Sequence, residues 1–342
     1  MISIGSKKNM TYQFLNHNIT EVHIELTSRC TLACPRCSRT MDPDGFKTED
    51  LDLLVLEKTL NSPALSNLEL VYLCGNHGDP IYHRDFHDAI RLFRERGLMI
   101  ELETNGSHRK ESWWEDFAAL LIEEDLISFS VDGLARNNQI YRVNSDWDSI
   151  IRGMKVMANS KAWVNWKWIM FKYNEDDVVE AQELAESLGF DAFTIVRSGL
   201  FGEQYADETG KDPLEPRDEN RIWFPGHETK TQIFPRCQKQ PRPFISAQGQ
   251  FIPCCWAGNA WAYNGGFFDQ NRDALDLKKN DLSEILQSKT LNELEESWAT
   301  VESAPKECVS LCGRREEPEG WNSEGYKSSY DKKVIQLKKI RL

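Results

Sequence analysis

The chain has no long apolar run: nothing in it approaches the roughly 20 apolar residues of a membrane span. The segment Met1-Ile2-Ser3-Ile4-Gly5-Ser6-Lys7-Lys8 also lacks the apolar core of a secretion signal, so a cytoplasmic protein with no membrane contact is expected. Positive charge is scarce too. Lys and Arg number 41 against 54 Asp and Glu, a formal net charge of −13, which argues against a broad electrostatic grip on nucleic acid. There is no internal repeat and no low-complexity segment, which excludes a stacked-repeat architecture.

Cysteine, by contrast, is plentiful, at nine residues. Without an export signal these are read as metal ligands rather than as a disulfide framework. Hydrophobic residues make up 40% of the 342 and aromatics 11%, enough for a sizeable core, and the length allows two domains or one barrel with an appendix.

Strand-like apolar runs at 21–26, 68–73, 98–103, 126–131, 163–170 and 192–196 alternate with helical patterns near 49–60, 83–97, 111–122, 146–158 and 175–188. Six such alternations predict parallel β/α units, with chemistry at the C-terminal ends of the strands. After about residue 200 the composition shifts to charge, Gly and Pro, which reads as a linker or a substrate-covering loop. Asp281-Leu-Ser-Glu284 has capping-box spacing and predicts a short helix. The segment from Lys332 to Arg341 reads as an amphipathic basic helix with a solvated face.

The first strand runs into C-T-L-A-C-P-R-C, with Cys30, Cys34 and Cys37 close together. A cubane iron-sulfur cluster usually takes four thiolates, so three thiols leave one iron open, as in a catalytic metal site. The pattern resembles the signature of the radical S-adenosylmethionine (SAM) superfamily, C-x3-C-x-aromatic-C, except that Arg36 stands at the aromatic position. That resemblance implies an open six-strand partial barrel. It also implies that SAM binds the open iron through its amino and carboxylate groups and is split reductively to a 5'-deoxyadenosyl radical that takes a hydrogen atom from substrate.

Other strand ends resemble further family elements. Gly75-Asn76-His77-Gly78-Asp79-Pro80 is similar to the G-G-E-P motif, with Gly78 and an Asp79 one methylene short placed to receive the SAM amino group. Cys74 there reads as core and His77 as loop packing. Thr104-Asn105-Gly106 resembles the T-N-G element, and Ser130-Val131-Asp132-Gly133 the S-x-D-G element that meets ribose or methionine groups; both also suit tight turns. Arg142 lies near a family arginine that pairs with the SAM carboxylate, with a surface salt bridge as the plainer reading. Val196 is expected against adenine and Arg197 toward substrate. Trp163, Trp166 and Trp168 crowd one strand, where core packing is the default and substrate stacking the alternative.

Cys237, Gly249, Cys254, Cys255 and Cys308-x3-Cys312 form a second set. Its opening resembles the twitch and SPASM domains of radical SAM enzymes, and with five cysteines one auxiliary 4Fe-4S cluster, held by Cys237, Cys254, Cys308 and Cys312, fits better than two. Four thiolates would also suit structural zinc. Gly249 is expected at a positive φ in a hairpin. Adjacent side chains on extended backbone point opposite ways, so one of Cys254 and Cys255 faces the cluster. For Cys255 three readings stay open: a replacement ligand, an inert buried thiol, or a hydrogen-atom donor to a product radical.

The expected fold class is α/β, a partial (β/α)6 TIM-like barrel followed by a small twitch/SPASM-like α+β domain. The segments are an extension at 1–17, the barrel at 18–200, a linker or covering loop at 201–230, the auxiliary cluster domain at 231–315 and a tail at 316–342. The activity this implies is oxidation, epimerisation or cross-linking of a small molecule or peptide. A SAM-binding 4Fe-4S cluster, SAM and a flavodoxin- or ferredoxin-type electron donor complete it. No separate peptide-binding domain is expected before residue 18. The alternative is a non-catalytic zinc or iron-sulfur protein acting as scaffold or redox sensor.

Overall fold

A computed structural model describes residues 18–44, 47–198, 201–220, 230–239, 241–258, 265–314 and 330–337. The expected extension at 1–17 lies outside them, as do 221–229 of the covering loop and most of the tail. Six strands, β1 (Glu21–Ile24), β2 (Leu70–Leu73), β3 (Met99–Thr104), β4 (Leu126–Ser130), β5 (Trp163–Ile169) and β6 (Ala192–Ser198), lie side by side in chain order. All five pairings between them are parallel. The helices between them are α1 (Ser38–Met41), α2 (Leu53–Leu60), α3 (Phe86–Arg94), α4 (Glu111–Ala118), α5 (Trp147–Ala158) and α6 (Val178–Leu188).

The period of two sorts the strand side chains onto unlike faces. Val22, Val71, Ile100, Ile127, Val164, Trp166 and Phe193 are buried on one face. Their helical partners carry a matching stripe: in α3 it is Phe86, Ala89, Ile90 and Phe93, all buried. Trp114 and Phe117 of α4 pack likewise, with Trp114 set 5.5 Å from the Phe129 ring. Fully burying side chains of this size stabilises by roughly 2–3 kcal/mol each. Trp166 and Trp168 belong to this face, so they are core, and the Trp166 indole donates to the Val131 carbonyl at 2.9 Å. The opposite face is polar. Tyr72 registers with Glu101, Glu103 with Ser128, Ser128 with Asn165, and Ser130 and Thr194 with Lys167.

Three further strands, β8 (Phe244–Ile245), β9 (Phe251–Ile252) and β11 (Tyr330–Gln336), bring this sheet to nine among the described residues, in the order β11-β6-β5-β4-β3-β2-β1-β8-β9, and the two outermost of these do not pair with each other. The additions come from the second cysteine region and the tail. That region runs through β7 (Gln232–Ile233), α7 (Arg236–Lys239), β8 and β9, followed by helices Leu282–Leu286, Lys289–Ser297 and Lys306–Cys312 and then β10 (Gly313–Arg314); β7 and β10 form a separate antiparallel pair. β8 pairs parallel to β1 and antiparallel to β9, so the hairpin extends the main sheet rather than standing apart from it. Gly249 turns it with φ 78°, as expected. The capping box also forms, with the Asp281 amide donating to the Glu284 carboxylate at 3.1 Å.

The basic-helix expectation for the tail is corrected. Tyr330–Gln336 is a strand, β11, antiparallel to β6. An uncovered β6 edge would leave a row of backbone donors and acceptors unpaired, and β-branched Val334 and Ile335 suit a strand that satisfies them. Residues 338–341 lie outside the described residues.

Candidate active site

Cys30, Cys34 and Cys37 lie between β1 and α2, with Cys37 capping α1. All three are free thiols. Leu32, Tyr141, Phe171, Phe201 and Leu214 surround them with apolar surface. Burial, together with the nearby Asp79 carboxylate, pushes the Cys30 thiol up to about 12, and burial likewise raises Cys34. Three thiols on one short loop suit a positively charged group that would hold them as thiolates.

Donors already point at these sulfurs. The Leu32 amide donates to Cys30 Sγ at 3.4 Å, and Asn105 Nδ2 to the same sulfur at 3.6 Å. Arg142 Nη1 donates to Cys34 Sγ at 3.8 Å. Through them the cysteine loop meets the ends of other strands.

At the end of β2, Asp79 is buried, and both its oxygens accept from Thr104 Oγ1, at 2.9 and 3.0 Å. Asn105 adds its amide and Nδ2, each at 2.6 Å, and the Ile81 amide adds 3.2 Å. Burial raises Asp79 to about 6, against these bonds. The carboxylate expected to receive the SAM ammonium is thus also the brace of the Thr104-Asn105 turn. Gly78 is required by close approach, because a Cβ there would sit 1.9 Å from the Thr27 carbonyl oxygen.

At the end of β4, Arg142 Nε donates to Asp132 Oδ2 at 2.6 Å, and the other oxygen of Asp132 takes the Ile169 amide at 2.7 Å. Asp132 is fully buried and the Arg142 side chain only 15% exposed, which makes this an interior pair rather than a surface bridge. Burial raises Asp132 and opposes the Arg142 charge, but Asp132, with Cys34 and Tyr141 beside it, holds the guanidinium above its ordinary range. Ser130 ends β4 on the polar face, opposite Lys167. Val196 is buried in β6 beside Ile169, which packs against the apolar group around the cysteines.

The second set gathers elsewhere. Cys237 lies on α7 and Cys254 follows β9, while Cys308 and Cys312 sit one turn apart on their helix. Burial pushes the Cys237 thiol well up, and the next influences on it are Cys254, Cys308 and Cys312. Cys308 is pushed up to about 12, chiefly by burial. Cys255 shares a hydrogen bond with Cys254 that lowers it; beyond that its charged neighbours are Cys74, Arg242 and Arg236. Cys254 is thus a neighbour of the other three, whereas Cys255 lies between Cys74 at the end of β2 and the arginines Arg236 and Arg242 of its own region. Among the described residues no three His, Cys, Asp or Glu are gathered closely enough to ligate a single metal ion.

Several contributors were not singled out from sequence. Glu25 is buried and takes the amides of His77 at 2.7 Å, Gly78 at 3.3 Å and Ala247 at 3.3 Å, joining β1, the β2 loop and the β8–β9 hairpin. Asn76 Nδ2 donates to the Cys255 carbonyl at 2.7 Å. Lys167 Nζ bridges both Glu103 oxygens, at 2.7 and 2.6 Å, on the polar face. The one available signal was a lone lysine inside the apolar run Trp163–Ile169. His77 is buried beside Glu25, and burial holds its ring below the usual imidazole range, in line with loop packing.

Residues 24–209 match the family model of the radical SAM superfamily. The chain belongs to that superfamily. It is accordingly a radical SAM enzyme, and membership brings a 4Fe-4S cluster and SAM. Among curated proteins it is similar to the tungsten-containing aldehyde ferredoxin oxidoreductase cofactor-modifying protein of Pyrococcus furiosus, 25% identical over 222 residues, covering 62% of this chain and 57% of the relative. It is also similar to the PqqA peptide cyclase of Ruegeria pomeroyi, 29% identical over 168 residues, covering 48% of this chain and 43% of that one. The chain thus spans about half the length of the curated relatives it matches. Among solved structures, Streptococcus suis SuiB overlays with TM-score 0.57 at 15% identity, covering 86% of this chain and 72% of SuiB. AnSMEcpe with bound AdoMet gives TM-score 0.53 at 15% identity, with 81% and 79% covered. These share the fold, a partial TIM-like barrel of α/β units.

Proposed function

We propose that the enzyme abstracts a hydrogen atom from a peptide substrate, with Cys30, Cys34 and Cys37 as ligands of the SAM-binding cluster. When bound, that cluster and SAM supply a 5'-deoxyadenosyl radical. The observation that carries the reading is the pair of side chains reaching the cysteine sulfurs from other strands, Asn105 to Cys30 and Arg142 to Cys34. They join the loop that would hold the cluster to the turns that would hold SAM. Asn105 is fixed by Asp79, and Arg142 by Asp132, so both donors are oriented before any ligand arrives.

In this reading Gly78, Thr104, Ser130 and Val196 complete the SAM site. The polar face beyond it, with Lys167 and Glu103, lines the space for substrate. A peptide is preferred because one relative is named as a peptide cyclase and SuiB was solved with its precursor peptide. Cys237, Cys254, Cys308 and Cys312 would hold one auxiliary 4Fe-4S cluster in a twitch-like region at about 231–315, and a flavodoxin- or ferredoxin-type protein would supply the electron.

Anaerobic reconstitution tests this. Two cubanes predict about eight irons per chain. Reductant-dependent 5'-deoxyadenosine should form from SAM and be lost in Cys34→Ala. One or two zincs per chain and no SAM cleavage would refute the assignment.

A further inference from the structure

Arg36 sits between Cys34 and Cys37, where the family signature carries an aromatic residue. A guanidinium buried among apolar groups is costly unless it is paired. The partner arrives from 176 positions away: Arg36 is salt-bridged to Asp212, their side chains 7% and 0% exposed. Two aromatic rings complete the enclosure, Tyr205 with its centroid 4.3 Å and Phe201 with its centroid 4.9 Å from the guanidinium carbon. Asp212, Tyr205 and Phe201 all belong to the segment 201–220.

Asp212 also organises its own segment, accepting the Leu214 amide at 2.9 Å and the Gly202 amide at 3.2 Å. Phe201 and Leu214 then join Leu32 and Cys34 in the apolar group around the three cysteines. The far side of the segment is held at the surface, by the Lys172 amide on the Leu214 carbonyl at 3.1 Å, by the Arg217 amide and Asn220 Nδ2 on Glu175, each at 2.9 Å, and by a half-exposed Arg217 side chain paired with Glu175 and Asp176; exposed pairs of this kind contribute little next to a buried one.

We infer that Arg36 is a positioning residue, a latch that holds residues 201–220 as a strap across the cysteine loop. The aromatic surface that the family signature places inside the loop is delivered here by the strap, as Phe201 and Tyr205. Shielding of the bound cluster and SAM therefore depends on the strap staying closed. The inference rests on the assignment of Cys30, Cys34 and Cys37 as cluster ligands.

The test compares Arg36→Met, Asp212→Leu and the double variant with the unaltered protein, all iron-loaded under anaerobic conditions. Chymotryptic cleavage at Phe201 or Tyr205 and tryptic cleavage at Lys211 report strap opening; loss of the cluster's visible absorbance in air reports shielding. Each single variant removes one half of the buried ion pair, so both rates should rise at least tenfold and the KM for SAM should rise more than kcat falls. The double variant, with two apolar side chains, should lie closer to the unaltered protein than either single variant. Cleavage and bleaching unchanged in both single variants, or a double variant showing the product of the two single effects, overturns the latch. Cleavage of the same variants without iron reads the latch even where a variant fails to load. Iron content of Cys34→Ala tests the ligand assignment separately, so the two failures are distinguishable.

Discussion

Asp79 makes a pH-dependent prediction. Its carboxyl is buried and carries a folded-state pKa raised from 3.8 to about 6, chiefly by burial. A raised carboxyl pKa means that the folded chain binds this proton more tightly than the unfolded chain does. Asp79 therefore favours the fold most when protonated, and that contribution falls as pH rises from about 4 to about 6 and is constant above. The size follows from the shift: about two units at 1.36 kcal/mol per unit is about 3 kcal/mol. Asp79→Asn removes the ionisation and keeps an acceptor for Thr104 and Asn105. Urea unfolding of iron-free protein at intervals from pH 4 to pH 7 should show the stability difference, variant minus unaltered protein, rising by about 3 kcal/mol across that window. Asp132, also raised by burial, is common to both proteins and cancels. A difference that stays flat with pH, or that falls, would refute the account of Asp79 as a desolvated carboxyl.

Three further outcomes are expected. Gly78→Ala puts a methyl on the Thr27 backbone, which cannot yield as a flexible side chain would, so SAM cleavage should be lost while iron content holds, measured by 5'-deoxyadenosine yield against iron analysis. Lys167→Met removes the ion-pair partner of Glu103, both being largely buried (18% and 14% exposed), and should cost about 3 kcal/mol in urea titration; Lys167→Met with Glu103→Leu should recover most of that. Cys254→Ala should lower iron from about eight to about four per chain, whereas Cys255→Ala should keep about eight; in the second variant, solvent deuterium that enters substrate carbon in the unaltered enzyme and then disappears identifies a thiol donor.

Local pattern carried the six parallel units into the sequence reading, because a strand buried on one face and a helix with one apolar stripe each announce themselves within a dozen residues. Lys332 to Arg341 failed for the complementary reason. Its charge pattern is compatible with a helix, and what makes Tyr330–Gln336 a strand is the edge of β6, more than a hundred residues earlier. The β8–β9 hairpin was legible as a hairpin from Gly249, but its pairing with β1 was not. The site shows the same division. Asp79, Thr104, Asn105, Asp132 and Arg142 stood out as residues, while their hydrogen bonds to one another and to Cys30 and Cys34 are tertiary facts. Arg36 was visible as an anomaly, and its explanation lay at Asp212. Glu25 was hidden in plain view as one polar position in a strand run.

The pairing of β8 with β1 ties the two cysteine sets to one sheet. β1 leads into the loop of Cys30, whereas Cys254 follows β9, which lies beyond β8 and runs antiparallel to it, so the two sets leave the sheet from strands of opposite direction. Backbone hydrogen bonds across both pairings hold Cys254 in register with the first strand of the barrel. A slip of one residue in either pairing would turn the side chains of the hairpin to the other face and carry Cys254 with it.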